Sequence, residues 1–230
     1  MPYQDLTTYE EVDPNSKLTV TSSKVTAANM DKDEDCYVYK DFGPAYFDEI
    51  DSEFECRVES SSSPTCASSL GFANTVDDRS GWSTHLNVQC QQVAGTPRIY
   101  LFSPTDDDFY NCSADTTYYC TLQRAAGNDG ATLYIYSDAS RETLVDTLTV
   151  TGCSTSKYQY FYAIASSGSG TGNNNFDGFY QNIDLNLGPA PSAVGSTLGL
   201  LAPAVGLYDV RYKLRSRRRD TALTTRVRNT

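Results

Sequence analysis

The sequence predicts an all-β protein, a two-sheet antiparallel jelly-roll sandwich with an extended C-terminal arm. Aromatic residues make up 12% of the 230 residues, and 17 of them are tyrosines, a composition that favours strands over helices. Segments of alternating apolar and polar residues recur between clusters of Gly, Pro, Asn, Asp and Ser. The charge changes sign near the C-terminus, which indicates an interaction arm and not a fold element.

These patterns divide the chain into three parts. We expect a sandwich at 1–187, an Ala/Pro/Gly/Ser linker at 188–205 and a basic docking arm at 206–230. No residue of 185–208 is charged, but three prolines and four glycines interrupt this stretch. A membrane span is therefore not expected. The N-terminus has neither a basic region nor an apolar run, so no secretory signal peptide is expected either.

The alternation predicts about ten to twelve short strands, the number typical of a sandwich or jelly roll. The clearest segments are Leu18–Thr21, Cys36–Tyr39, Tyr46–Val58, Thr84–Val93, Arg98–Phe102, Thr117–Gln123, Thr132–Tyr136, Thr143–Val150, Tyr158–Ile164 and Phe179–Leu187. The chain has seven cysteines and no Cys-x-x-Cys motif. We expect several of them to be small buried apolar residues, although Cys56–Cys66 and Cys112–Cys120 are close enough in sequence to bridge a loop.

Part of the sequence resembles the concanavalin A-like lectin and glucanase sandwiches of the laminin G type. The segments that carry this resemblance are Asp35–Gly43, Tyr46–Val58, Leu133–Asp138, Leu144–Leu148 and Phe176–Leu185. The resemblance covers roughly residues 1–187 and implies the fold. It implies no single function, because this sandwich occurs in lectins, glycosidases and structural modules. The arginine-rich tail adds a likeness to domains of bacteriophage virions.

Glu49, Asp51 and Glu53 match the Glu-x-Asp-x-Glu signature of glucanases that share this sandwich. The resemblance implies a nucleophile, a tuning aspartate and an acid/base in that order. Alternation explains the same residues without catalysis: odd-numbered residues of 47–59 would face solvent and even-numbered residues of 46–58 the core. We favour the solvated face and expect no enzymatic activity. A glucanase-like glycosidase that uses Glu49 and Glu53 remains an alternative.

Two further groups of residues could bind a ligand. Hard cations bind clustered oxygens, so Asp106, Asp107 and Asp108 are a weak candidate for calcium, and no other cofactor is expected. Their spacing matches no defined calcium loop, and a solvated turn is favoured. The candidates for glycan contact are Trp82, Tyr158, Tyr160 and Tyr162. The three tyrosines would line one strand face, where packing in the sandwich is favoured over stacking on sugar rings.

The basic arm has a charge opposite to that of the rest of the chain. Residues 206–230 hold eight basic and two acidic residues, a net charge of +6, whereas the preceding 205 hold ten basic and 27 acidic residues, a net charge of −17. The basic residues are Arg211, Lys213, Arg215, Arg217, Arg218, Arg219, Arg226 and Arg228. The pattern Leu-x-(Ser/Thr)-Arg-x-Arg-(Asp/Asn)-Thr occurs twice, at 214–221 and 223–230.

Three interpretations of the arm are open: a nucleic-acid contact, docking on an acidic protein surface and a solvated disordered segment. The acidic body would repel a polyanion, which disfavours nucleic acid and favours a protein surface, including that of a neighbouring copy. We therefore expect a non-enzymatic structural or decoration protein of a bacteriophage virion, assembled in the host cytoplasm as a homo-oligomer. Its partners would be neighbouring virion proteins or copies of itself, with surface glycans as a further class. A carbohydrate-binding lectin or adhesion module is the first alternative.

Overall fold

A computed structural model of the chain describes residues 3–31, 34–59, 67–93, 95–153, 157–167 and 175–186. These residues form fourteen β-strands and two short 3-10 helices, Leu6–Thr8 and Arg79–Gly81, without any α-helix among them. The strands are β1 (Glu10–Val12), β2 (Leu18–Val20), β3 (Lys24–Met30), β4 (Tyr37–Asp41), β5 (Ile50–Val58), β6 (Ala67–Ala73), β7 (His85–Val93), β8 (Thr96–Phe102), β9 (Asp107–Asn111), β10 (Tyr118–Arg124), β11 (Ala131–Tyr136), β12 (Leu144–Val150), β13 (Tyr160–Ser167) and β14 (Phe176–Asp184). The predicted linker and arm lie outside the described residues.

The strands form two seven-stranded sheets. Sheet A has the order β1-β4-β13-β6-β7-β8-β9, and sheet B has the order β12-β11-β10-β5-β14-β3-β2. Every named pairing is antiparallel. Late strands pair with early ones, as when β14 lies between β5 and β3, which is typical of a jelly roll. The predicted all-β sandwich is confirmed. Over the described ranges, no helix has the length and apolar character needed to cross a membrane.

The core lies between the two sheets, and most strands show the alternation that the sequence predicts. In β5 every second residue from Ile50 to Val58 is buried, and β11 alternates in the same way. Strand β6 differs because all seven of its residues are buried. It was not among the predicted strands, and neither were β1, β3 and β9. A strand covered on both faces shows no alternation for a sequence pattern to detect.

Strand β5 begins later than predicted. Residues 46–49 precede the strand, and Phe47 is buried whereas Tyr46 is exposed, which is the reverse of the predicted faces. The reason is the bend at Asp48 and Glu49, which places the buried residues Phe47 and Ile50 three positions apart in place of the usual two. An insertion of one residue exchanges the two faces of an extended segment. Phe47 instead forms an isolated bridge with Tyr158.

Tyr180 of β14 connects the two sheets through its hydroxyl group. This hydroxyl donates a hydrogen bond to the carbonyl oxygen of Ser68 on β6 (2.9 Å) and accepts one from the backbone N–H of Cys90 on β7 (3.1 Å). The ring is fully buried, and burial raises the pKa of Tyr180 well above its usual value of 10.0. A neutral phenol therefore satisfies buried polar groups on two strands of the opposite sheet.

Six of the seven cysteines are described, and all six are buried free thiols. The prediction that several serve as small apolar core residues is confirmed. Proximity in sequence did not predict which thiols lie close together: the Sγ atoms of Cys56 on β5 and Cys120 on β10 are 3.9 Å apart. Cys112 and Cys120 do not bridge a loop, and Cys66 lies outside the described residues.

Replacing Tyr180 with phenylalanine should destabilise the sandwich by about 1–3 kcal/mol, the cost of leaving buried polar groups unpaired. Urea denaturation at neutral pH measures this change, and the slope of the transition should stay constant. Tyr119→Phe removes a hydroxyl from the partly exposed outer side of sheet B and is the control. Equal midpoints for the two variants would contradict the role assigned to Tyr180.

Candidate functional site

The outward side chains of β5, β10 and β11 form one continuous surface on sheet B. Residues that lie opposite each other in an antiparallel sheet point to the same side, and the register places Thr121 beside both Glu53 and Tyr134. The same register places Gln123 beside Asp51 and Thr132. We call this surface the polar face. Its members are Asp51, Glu53, Glu55, Tyr119, Thr121, Gln123, Thr132, Tyr134 and Tyr136.

Each carboxylate that β5 contributes to the polar face has a partner side chain. The contacts are Gln123 Nε2 to Asp51 Oδ1 (3.3 Å), Arg141 Nη1 to Glu53 Oε2 (3.3 Å), Gln181 Nε2 to Glu55 Oε2 (2.6 Å) and Asn182 Nδ2 to Glu55 Oε1 (2.8 Å). Arg141 comes from the turn between β11 and β12. These contacts hold the carboxylates in fixed directions and balance part of their charge, as on a solvated sheet surface.

The glucanase-type signature is only partly assembled. Asp51 and Glu53 lie on the polar face, but Glu49 is exposed in the bend before β5. Glu49 comes immediately before the strand, so the pairing of β5 fixes the direction of Asp51 and Glu53 only. The neighbouring Asp48 contacts Lys157 Nζ at 3.0 Å and accepts a hydrogen bond from a backbone N–H, and these contacts lower the pKa of Asp48.

An open depression of about 300 Å³ lies at the β11–β12 side of the polar face. Gln123, Thr132, Tyr134, Asn128 and Thr149 contribute to its lining. The lining combines an amide group, hydroxyl groups and one half-buried aromatic ring. This volume is at the lower end of the range for small-molecule sites, about 300–1,000 Å³. A ligand here would be held by several hydrogen bonds and one ring face.

Arg124 forms part of the same lining and fixes the loop beside it. The Arg124 side chain is buried, its Nε donates to the carbonyl oxygen of Asn128 (2.9 Å), and its guanidinium lies 5.1 Å from the ring centre of Tyr158. Tyr158 is fully buried and donates its hydroxyl proton to the carbonyl oxygen of Cys153 (2.8 Å). Tyr158 therefore belongs to the core. It precedes β13 and does not share a strand face with Tyr160 and Tyr162, contrary to prediction.

Aromatic side chains gather on the outer side of sheet A. The ring centres of Trp82 and Tyr162 are 4.4 Å apart, and those of Tyr39 and Tyr162 are 5.6 Å apart. Tyr162 donates its hydroxyl proton to the carbonyl oxygen of Thr75 (2.6 Å), and Trp82 Nε1 donates to that of Asp77 (3.0 Å). The Tyr162 bond fastens the segment 74–84 to the sheet, and the Trp82 bond lies within that segment.

Most of the predicted glycan-contact residues are consequently covered. Trp82 is 4% exposed and Tyr162 is fully buried, so neither ring face is open to a sugar in this arrangement. Tyr160 keeps partial exposure. His85 lies under the same segment, where burial and the charge of Arg79 lower its pKa to about 3, so the imidazole is neutral at physiological pH. The aromatic rings therefore stabilise the covering segment.

Asp106 and Asp108 bind the edge of the opposite sheet. The Asp106 carboxylate accepts hydrogen bonds from the backbone N–H and the hydroxyl of Thr151 (2.8 and 3.1 Å), and Asp108 accepts one from the backbone N–H of Thr149 (3.1 Å). Across the described ranges, no group of three or more acidic, histidine or cysteine side chains is arranged to hold a metal. In this arrangement the carboxylates of Asp106 and Asp108 are directed to backbone donors. Both carboxylates occupy backbone donors at the edge strand β12.

The eight basic residues predicted to dock on a partner lie outside the described residues. They are Arg211, Lys213, Arg215, Arg217, Arg218, Arg219, Arg226 and Arg228. Two features of the site had no signal in the sequence. The depression depends on side chains from three strands. The carboxylates that accept hydrogen bonds from the backbone N–H groups of Thr149 and Thr151 are more than 40 residues away in sequence.

No protein-family model matches the chain, and no curated protein sequence matches it. Solved structures do resemble it. A sialidase aligns with a TM-score of 0.53 at 9% identity, over 78% of this chain and 17% of the sialidase. A legume lectin-like domain from Entamoeba histolytica gives 0.48 at 10% identity over 76% and 89%, and the Ca²⁺/Man2-bound VIP36 exoplasmic/lumenal domain gives 0.48 at 10% over 87% and 90%. At these identities the likeness concerns the fold alone, a two-sheet jelly-roll sandwich.

Acid should weaken the bonds that Asp106 makes to β12. Hydrogen bonds from Thr151 lower the pKa of Asp106 below its usual 3.8, so the stabilisation is present above that pH and is lost as pH falls through the lowered value. The urea midpoint should therefore decline between about pH 4 and pH 2, and Asp106→Asn, which keeps an acceptor oxygen but does not titrate there, should reduce the decline. Asp107→Asn removes the adjacent charge and is the control. An unchanged decline in Asp106→Asn would contradict this assignment.

Proposed function

We propose that this chain is a non-enzymatic carbohydrate-binding module that is carried on a larger assembly by its basic arm. The observation that supports carbohydrate binding is the open depression beside the polar face, with its amide, hydroxyl and aromatic lining. Sugars present hydroxyl groups around an apolar ring face, and they are bound by directed polar groups together with an aromatic surface. Gln123, Thr132 and Tyr134 supply both kinds of contact from adjacent strands.

The lining groups are held in place by other residues, which favours recognition without rearrangement. Asp51 accepts a hydrogen bond from the Gln123 amide, and Arg124 holds the loop carbonyl of Asn128. Thr132 and Tyr134 lie in the middle of β11, paired on both sides. A surface whose side chains are fixed before binding loses less conformational freedom when the ligand arrives.

The charge of the polar face restricts the class of glycan. Asp51, Glu53 and Glu55 lie along the strand next to β10. Glu53 contacts the cation of Arg141, whereas Asp51 and Glu55 contact neutral amides, so the net negative charge that is left repels carboxylated or sulfated sugars. Neutral oligosaccharides are therefore the expected ligands. The partners of these carboxylates and the position of Glu49 before the strand favour binding over hydrolysis, because a glycosidase needs one free nucleophile and one proton donor facing the sugar.

The arm would attach the module to neighbouring subunits. A segment of charge +6 follows a body of charge −17, so the most complementary surface available to the arm is an acidic protein surface. Copies of this chain and neighbouring virion proteins are the expected partners, in a bacteriophage particle that displays the sandwich outward. Surface glycans would then be the external ligands.

Tyr134→Ala should weaken binding to a neutral oligosaccharide by about tenfold, equivalent to about 1.4 kcal/mol, because the ring face is lost. A glycan array with and without calcium identifies the ligand, and calorimetric titration measures the affinity. Tyr136→Ala, on the same strand and face but outside the depression, is the matched control. Failure of the parent protein to bind any glycan above background would refute carbohydrate binding, and release of reducing sugar from a β-glucan would contradict its non-enzymatic character.

Deleting residues 206–230 should abolish self-association or incorporation into the assembly while leaving the sandwich folded. The reason is that the deletion removes eight of the 18 basic residues and no described strand. Sedimentation velocity measures association, and urea denaturation checks the fold. A truncated chain that associates as strongly as the full chain would show that the arm is not the anchor.

A further inference from the structure

The edge strands β9 and β12 meet along one side of the sandwich. Strand β9 ends the order of sheet A, and β12 ends the order of sheet B. The bonds from Thr149 and Thr151 to Asp108 and Asp106 join them. We call this region, residues 106–110 and 144–151, the edge seam. It is a long sheet edge of the kind that proteins protect against unwanted strand pairing.

The backbone donors along the edge seam are already bound to carboxylates. The N–H of Thr147 donates to Asp146 Oδ1 (2.8 Å), that of Thr149 to Asp108, and that of Thr151 to Asp106. In an antiparallel strand the C=O of a residue points to the same side as its N–H. A partner therefore meets oxygen acceptors, chiefly carboxylates, because the carbonyl oxygen of Thr151 already accepts a hydrogen bond from Ser103 Oγ (2.6 Å). A new β-strand would need backbone donors here, whereas a guanidinium group brings five donors and no acceptor.

Apolar side chains accompany these acceptors. Leu144 is 51% exposed, Val145 is 37% exposed and Phe109 is 41% exposed. The guanidinium of Arg98 already lies 4.4 Å from the ring centre of Phe109, so this ring accepts a cation on its face. The edge seam thus combines four carboxylates, from residues 106–108 and 146, with exposed apolar groups.

The arm matches this combination in spacing and in chemistry. Positions 211, 213, 215, 217 and 219 are all basic, so an extended backbone would present them on one side about 6.6–7 Å apart. Asp106, just before the edge strand β9, and Asp108, within it, are also two residues apart. The leucine at 223, also at an odd position, supplies an apolar group for Leu144 and Val145. Guanidinium groups bind carboxylates by paired, charge-assisted hydrogen bonds.

We propose that the edge seam of one copy receives residues 206–230 of a second copy, mainly through arginine side chains. This inference rests on the proposed role of the arm and names its acceptor. The surface that donates the arm differs from the surface that receives it, so copies either exchange arms reciprocally in a two-fold pair or join head-to-tail in rings or open chains. Binding should fall steeply with ionic strength because exposed charges carry much of it.

Sedimentation velocity of the full chain tests this proposal. The variant Asp106→Asn/Asp107→Asn/Asp108→Asn removes three charges but keeps oxygens that can accept the hydrogen bonds from the backbone N–H groups of Thr149 and Thr151. Exposed ion pairs each contribute about 0.2–1 kcal/mol, so self-association should weaken about tenfold. The matched control is Glu10→Gln/Glu11→Gln/Asp35→Asn, which removes three charges at and near the other edge of sheet A and should associate as the parent does. Urea midpoints at neutral pH verify that both variants are folded.

Limited trypsin digestion of the same proteins identifies the occupant. Cleavage after the arginines of 206–230 should slow as protein concentration rises, and this protection should be lost in the Asp106–Asp108 variant only. Protection that does not depend on concentration would mean that each chain binds its own arm, and protection that survives in the variant would place the acceptor elsewhere; either result overturns the inference. Association that is lost on deleting 206–230 but kept in the variant leaves the anchoring role intact and refutes the edge seam alone.

Discussion

The register of β5 between β10 and β14 is the constraint on which the rest of the sandwich depends. In this register Phe54 and Cys56 face the core, and Glu53 and Glu55 face outward. A shift of one residue would exchange the faces and bury the carboxylates, at a cost that a marginally stable domain does not tolerate. The polar face, the depression beside β10 and the inter-sheet contact of Tyr180 all take their positions from this central strand.

The sequence predicted the fold where one strand face meets the core and the other meets water. Strands β5 and β11 show this alternation in both sequence and structure. The sequence pattern did not predict β6, because the outer side of this strand lies under the segment 74–84, which packs on it through Trp82 and Tyr162. That covering is a tertiary contact, and no local pattern encodes it. Trp82 and Tyr162, two of the residues expected to meet sugars, are buried in this same contact.

Carboxylates illustrate a second limit of sequence reasoning. Asp106 and Asp108 resemble a cation cluster because they are close together in the chain, yet their partners, Thr151 just after β12 and Thr149 within it, lie 45 and 41 residues away. Asp51 likewise meets Gln123 across 72 residues. The chemistry of an acidic residue depends on the donor it faces, and topology decides that donor. In the glucanase-type signature, Glu49 lies in the bend before β5, whereas Asp51 and Glu53 lie within the strand.

Strand β12 belongs to both proposed binding regions. The backbone N–H of Thr149 is bound in the edge seam by Asp108, whereas residue 149 also lines the depression. An arm that fixes β12 from one side would leave less conformational freedom for a glycan to remove on the other, so each ligand should favour the binding of the other. Thermodynamic linkage makes such a coupling equal in both directions. An assembled subunit should then bind glycan more tightly than an isolated one, which would confine strong attachment to complete particles.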